Sequence, residues 1–225
     1  MLELQDVSIY FPVVPLLFLL ISLFGKGPRK PYLLPMMALL VCSLLVDLYV
    51  KYWNGIIANT LLLQVFTGVE CCCYSLYFLA LFRKPNPRKF IITTLVFFEC
   101  FKVVDILYLT GPNRLDNEAI VLESLLLVGY SVCYLLQQLN AMELKQPHTF
   151  PPFWICAGII FYFSGNLVLF LFSEYVVSQG LNYYAANWII HFLFSLLKYI
   201  AFTIGIYFSW DQAKFRSLST FLLSS

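Results

Sequence analysis

The chain of 225 residues is 61% hydrophobic and 12% charged, and its formal net charge is +2. Its mean hydropathy is +0.82. Soluble domains are about 45–50% apolar and about 25% charged, so this composition excludes a soluble globular protein. We expect membrane lipid to solvate most of the surface, and we expect no nucleic-acid partner.

Seven apolar stretches are long enough to cross a membrane as helices, which takes about 20 residues each. They cover about residues 8–24, 32–50, 56–82, 90–111, 119–140, 153–176 and 187–209, and leave a tail of about fifteen residues. The stretches do not alternate apolar and polar residues, as strands of a membrane barrel do. The sequence therefore predicts an all-α integral membrane protein, with one seven-transmembrane-helix bundle spanning residues 1–225.

Lysine and arginine are distributed unevenly between the two sides of this bundle. Cytoplasmic loops of membrane proteins carry an excess of these residues. Ten lie on one side, namely Lys26, Arg29, Lys30, Arg83, Lys84, Arg88, Lys89, Lys145, Lys214 and Arg216, and only Lys51 and Arg114 lie on the other. This pattern predicts an N-terminus outside the cytosol and a cytosolic C-terminus.

Ionisable and amide side chains inside the predicted spans are the candidate functional residues, because charge at membrane depth is costly and usually functional. His191, Ser195 and Lys198 share one face of the seventh span by helical spacing. The full candidate ligand-binding set is Glu70, Glu99, Lys102, Glu123, Asn166, His191 and Lys198. We expect a polar cavity that opens outward and closes near the membrane midplane. Its carboxylates outnumber its bases, which suits a polar or cationic head or a proton relay.

Some of these residues also have purely structural interpretations. Glu99, Lys102 and Asp105 are spaced three apart, so they could pair within one helix, and Lys102 could instead reach Glu70. Asn166 follows a glycine, a combination that also suits close helix packing. Asp47 falls at the end of the second span and is expected at the level of the lipid headgroups.

Cofactor and metal chemistry have little support in the sequence. All seven cysteines lie in apolar segments, where they are expected as small buried hydrophobes. A retinal Schiff base on Lys198 with Glu70 as counterion is a minor alternative. Phe194, however, stands where microbial rhodopsins usually have Asp, and the third span lacks their Arg. We expect no cofactor and no metal.

Three segments carry a resemblance to a known group of proteins. They are NTLLLQVFTGVECCCYSLYF (59–78), LESLLLVGYSVCYLLQQL (122–139) and PFWICAGIIFYFSGNLVLFLF (152–172), and the last predicted span adds Trp188-Ile189-Ile190-His191. In these features the chain resembles a group of small seven-helix proteins of bacterial inner membranes. The resemblance implies that location and gives recurring positions to Glu70, Glu123, Trp154, Gly158, Tyr162, Ser164, Gly165 and His191. It implies no particular activity.

Two classes of function are compatible with these features. The first is a non-enzymatic membrane module that binds a small or lipid-like ligand in the outward cavity, or that assembles with a membrane protein partner as a sensor subunit. The second is an integral-membrane enzyme acting on a lipid or isoprenoid, with Glu70 and Glu123 as acid and base.

Overall fold

The computed structural model describes residues 10–24, 31–52, 56–109, 111, 116–140, 150–172, 175 and 181–223, with the backbone alone for 22–24, 56–59, 181–188 and 211–223. All regular secondary structure in the described residues is helical, which confirms the predicted all-α class. Its helices are α1 (Val13–Phe24), α2 (Leu33–Tyr52), α3 (Ile56–Leu81), α4 (Pro85–Val104), α5 (Asn117–Asn140), α6 (Pro151–Leu171) and α7 (Leu181–Leu223). A π-helical turn, Asp105–Leu109, continues α4.

Within the described residues, five helices are long and apolar enough to cross a membrane. They are α2, the Thr60–Leu81 part of α3, α5, α6 and the Ile189–Trp210 part of α7. Of the other two, α1 is described over 12 residues, and α4 carries several charged side chains. Large apolar side chains such as Leu45, Phe97 and Phe161 point outward and are about 60% exposed. These features define an integral membrane protein whose outer surface suits lipid.

Helices α4 and α7 extend furthest beyond the bounds predicted from the sequence. Helix α4 begins at Pro85 instead of near residue 90, because proline is favoured in a first helical turn and Lys84 before it is extended. Helix α7 covers Leu181–Leu223 instead of 187–209. Its extension through the predicted tail follows from the absence of proline and glycine after Trp210.

Most of the residues behind the predicted orientation lie beyond what the structure describes. Arg83, Lys84, Arg88, Lys89 and Lys51 are described. The remaining seven are outside the described residues or are described by backbone alone: Lys26, Arg29, Lys30, Arg114, Lys145, Lys214 and Arg216.

Helices α6 and α7 form the most extensive contact of the bundle, and glycines bring them close together. A Cβ added at Gly205 would lie 2.9 Å from the carbonyl oxygen of Pro151 and from Cγ1 of Ile155. A Cβ at Gly158 would lie 3.2 Å from the carbonyl oxygen of Lys198. Small residues allow such approach in membrane bundles. Gly158 therefore sets the backbone of Lys198 directly against α6.

Helix α3 lies at the centre of the aromatic core. Tyr74 packs edge-on against Phe163 of α6, and Phe78 packs edge-on against Tyr130 of α5. The C-terminal half of α3 also buries the Tyr74 and Tyr77 hydroxyls, which have no hydrogen-bond partner among the described residues.

We predict that Gly205→Ala destabilises the bundle, because the added methyl group meets backbone that cannot rotate away. The expected loss is about 1–3 kcal/mol, typical of overpacking. Thermal unfolding of the purified protein in detergent measures it. The matched control is Gly129→Ala, where the new Cβ meets nothing within 4 Å. That variant should be neutral or more stable by up to about 1 kcal/mol; equal losses at both positions would contradict the prediction.

Candidate ligand-binding cavity

A cavity of about 180 Å³ lies between α2, α3, α5, α6 and α7. Aromatic and aliphatic side chains make up part of its wall, among them Phe66, Phe170 and Phe192. Its polar lining residues are Ser43, Asp47, Thr67, Glu70, Asp116, Glu123, Tyr162, Asn166, His191, Ser195, Lys198 and Tyr199. A mostly apolar cleft with a few convergent polar groups is the usual character of a small-molecule site.

Helices α7 and α3 each present one stripe of side chains to this cavity. His191, Ser195 and Lys198 follow one another at intervals of four and three residues on α7, and all three line it. Thr67 and Glu70 do the same on α3. Intervals of three and four residues place side chains on one helix face. The face predicted for the seventh span is therefore the face that meets the cavity.

Lys198 is the most constrained charged group of the cavity. Its Nζ lies 3.4 Å from Oε1 of Glu70, and both side chains are buried, at 5% and 9% exposure. The same Nζ lies 3.6 Å from the ring centroid of Tyr162 and 4.9 Å from that of Tyr199. A desolvated cation–π contact contributes about 2 kcal/mol. The ammonium is thus held by a carboxylate of α3 and by rings of α6 and α7.

Two neutral hydrogen bonds fix further side chains of the wall. Oδ1 of Asn166 lies 2.9 Å from Nδ1 of His191. An amide oxygen can only accept, so the imidazole donates from Nδ1. The hydroxyls of Ser43 and Tyr199 are hydrogen-bonded at 2.9 Å. These bonds join α6 to α7 and α2 to α7 around the cavity.

Carboxyl groups outnumber cationic groups in the lining. Asp47, Glu70, Asp116 and Glu123 all line the cavity, whereas Lys198 is its one lysine or arginine among the described residues. Glu123 is 2% exposed, and its Oε1 has no hydrogen-bond partner in the described part of the chain. Burying an unpaired polar group is costly, and no hydrogen bond within the described residues offsets that cost for Oε1 of Glu123.

Lys102 contacts the site only indirectly. It forms a buried salt bridge with Asp116, which precedes α5 and lines the cavity. The sequence analysis had considered only Asp105, Glu99 or Glu70 as partners for Lys102. Burial raises the pKa of Asp116, and the adjacent Lys102 ammonium opposes that shift.

Gly111, five residues before Asp116, is hydrogen-bonded to α3. Gly111 has φ 72°, in the left-handed region that favours glycine. Its carbonyl oxygen accepts a hydrogen bond of 2.9 Å from Nε2 of Gln64.

Glu99 lies outside the cavity, on the contact between α3 and α4. Its Oε1 accepts a hydrogen bond from Sγ of Cys72 at 3.2 Å. Its Oε2 would lie 3.1 Å from a Cβ built on Gly68. The carboxylate therefore fills the space beside a glycine and a thiol of the neighbouring helix.

Five of the seven sequence candidates meet in the cavity: Glu70, Glu123, Asn166, His191 and Lys198. Glu99 and Lys102 do not line it. Sequence reasoning did not include Asp116, which lies between the fourth and fifth predicted spans, and it assigned Asp47 to the headgroup level. It also missed Tyr199 and the role of Tyr162 as ring partners of Lys198. The helical spacing of Tyr162 to Asn166 and of Asp116 to Glu123 was an available signal for two of them.

The fold and this site define an integral membrane protein with an internal polar cavity. The chain matches no protein-family model, no curated protein and no solved structure. The functional conclusion therefore comes from the chemistry of the cavity.

We predict that Lys198→Met destabilises the protein strongly, because it leaves Glu70 buried without its partner. Breaking a buried pair costs about 3–5 kcal/mol. The double variant Glu70→Gln/Lys198→Met removes both charges and should recover much of that loss. Thermal unfolding of the single and double variants measures the coupling. Strictly additive losses would show that the two groups do not stabilise each other.

Proposed function

We propose that this protein is a seven-transmembrane module that binds a small ligand in an outward-facing polar cavity. One observation carries the proposal. Glu123 lines an internal cavity with a buried carboxyl oxygen that has no partner among the described residues. A bundle built only for packing would fill this position with an apolar side chain, since replacing buried charge by apolar groups is often neutral or stabilising.

The proposed direction of the cavity follows from the ends of the helices that line it. Asp47 lies towards the C-terminal end of α2, Glu123 lies near the start of α5, and His191 lies at the start of the predicted seventh span. With the N-terminus outside, all these ends lie on the outer side. We propose a bacterial inner membrane as the location, on the strength of the resemblance and the uneven distribution of lysine and arginine.

The proposed topology predicts that two reporter insertions, placed on opposite sides of the membrane, both give a signal. Alkaline phosphatase inserted at residues 112–115 should be active, because that loop faces outward in the proposed topology. A fluorescent protein inserted at residues 141–149 should fluoresce, because that loop faces the cytosol. Expression of both fusions in bacteria, normalised to protein amount, measures this. Loss of both signals would overturn the orientation. A signal from one fusion alone would place both loops on the same side of the membrane and overturn the seven-span count.

Ligand binding predicts a retained small mass. Native mass spectrometry of the full chain, extracted in mild detergent from its own membrane, should detect a bound small molecule. Glu123→Gln should lose it, because the substitution removes the carboxylate that contacts it. The matched control is Glu118→Gln, an exposed position five residues earlier on α5 that does not line the cavity.

The same spectra distinguish the other outcomes. A co-purifying protein without any small ligand would favour the subunit hypothesis and overturn the ligand-binding proposal. A small mass retained equally by wild type and Glu123→Gln would place the ligand elsewhere in the bundle.

An enzyme acting on a lipid or isoprenoid is the second candidate, and one observation favours it. Glu70 and Glu123 line the same cavity, so a substrate there could contact both an acid and a base. Its distinguishing result is turnover. Incubation with membrane lipid extract should convert a substrate into product, and Glu70→Gln and Glu123→Gln should each abolish conversion. Conversion is normalised to folded protein, because Glu70→Gln also leaves Lys198 buried without its carboxylate partner. Full conversion by both variants would remove this candidate.

A further inference from the structure

We propose that the ligand of this cavity is a small organic cation, an alkylammonium that binds through Glu123 and the surrounding aromatic rings. This inference rests on the proposed ligand-binding function and names the chemical class of the ligand. If the cavity bound only neutral molecules, the cation class would be wrong and the proposed ligand-binding function would still hold.

The charge balance of the lining is the first argument. Of the four carboxyl groups, Glu70 is paired with Lys198 and Asp116 is paired with Lys102. Glu123 and Asp47 also line the cavity, and no salt bridge is formed by either within the described residues. Charge buried in a membrane bundle is usually paired. A bound cation supplies the positive charge that the lining lacks.

Glu123 is the position in the cavity where the positive charge of the ligand would bind. Its side chain is almost completely buried, and its Oε1 has no protein partner in the described chain. A carboxylate oxygen accepts hydrogen bonds and attracts a positive group. An ammonium at this point satisfies the oxygen and neutralises the carboxylate in one contact.

The aromatic wall is an independent argument for an organic ammonium. Phe66, Phe163 and Phe170 line the cavity together with Tyr162 and Phe192. Aromatic faces attract cations, and aromatic cages recognise quaternary ammonium groups. Lys198 demonstrates this chemistry inside the same cavity, since its ammonium lies 3.6 Å from the Tyr162 ring centroid and beside Glu70.

The lining of the cavity suits an organic ammonium better than it suits a metal ion or a zwitterionic lipid headgroup. Among the described residues, no three His, Cys, Asp or Glu side chains are grouped closely enough to hold a metal. A phospholipid headgroup brings an anionic phosphate beside its ammonium, and that phosphate would meet the excess carboxylates. A cavity of about 180 Å³ also matches a small molecule.

Three probes with similar trimethyl head groups test whether the ligand is an organic cation. Choline is a small ammonium, 3,3-dimethyl-1-butanol is its neutral isostere with carbon in place of nitrogen, and phosphocholine adds the anionic phosphate. Thermal-shift titration and calorimetry of the full chain in detergent measure binding. We expect choline to bind about tenfold or more tightly than either of the other probes, because it alone brings a net positive charge that attracts Glu123 and the aromatic rings.

The outcomes separate this inference from the proposed function. Equal or tighter binding of the neutral isostere would overturn the cation class while leaving a ligand cavity intact. Tighter binding of phosphocholine would overturn it in favour of a lipid headgroup. If none of the probes binds, and methylammonium and tetramethylammonium also fail, the cation class is rejected. The mass retained in native spectra then decides the proposed function separately.

Substitutions test the position of the contact. Glu123→Gln should weaken choline binding about tenfold or more, whereas Glu118→Gln on the same helix should leave it unchanged. Glu123→Asp preserves the charge and should retain part of the affinity, which a purely structural role would not explain. Undiminished choline binding by a folded Glu123→Gln protein would overturn the assignment of Glu123.

Discussion

The ammonium of Lys198 imposes the strictest physical constraint on this bundle. A lysine at the middle of a membrane-spanning helix is costly unless its charge is satisfied inside the protein. Its partners come from two other helices, the Glu70 carboxylate of α3 at 3.4 Å and the Tyr162 ring of α6 at 3.6 Å. These contacts require α3, α6 and α7 to meet at one depth and in one rotational register. The stripes that line the cavity follow from that register.

Glycine allows α6 and α7 to approach closely enough for the contact between Lys198 and Tyr162. Lys198 reaches Tyr162 because the backbones of α6 and α7 approach closely at Gly158, where the Lys198 carbonyl lies 3.2 Å from the position of an absent Cβ. Dispersion between closely packed backbones drives association in lipid, where the hydrophobic effect between helices is missing. The same interface therefore stabilises the fold and positions the charged group. A bulkier residue at Gly158 would separate the two helices at the level of the cavity.

Periodic and compositional features were predictable from the sequence, and tertiary partners were not. Hydropathy predicted the existence and approximate bounds of the helices, and helical spacing predicted the shared face of His191 and Lys198. The partner of Lys102 could not be predicted in the same way, because Asp116 lies in the next connection and the pairing depends on the path of the chain. The early start of α4 at Pro85 was misread because proline both breaks helices and begins them.

Glu70 and Glu123 show why burial alone does not assign a role. Both line the same cavity, yet Glu70 has a lysine partner and Glu123 retains an oxygen without a protein partner in the described residues. The paired group contributes to the architecture, because removing either member leaves a buried charge. Oε1 of Glu123 can therefore accept a contact from a group that enters the cavity. The difference between the two carboxylates, and not their number, is therefore the basis for placing recognition at Glu123 and structural support at Glu70.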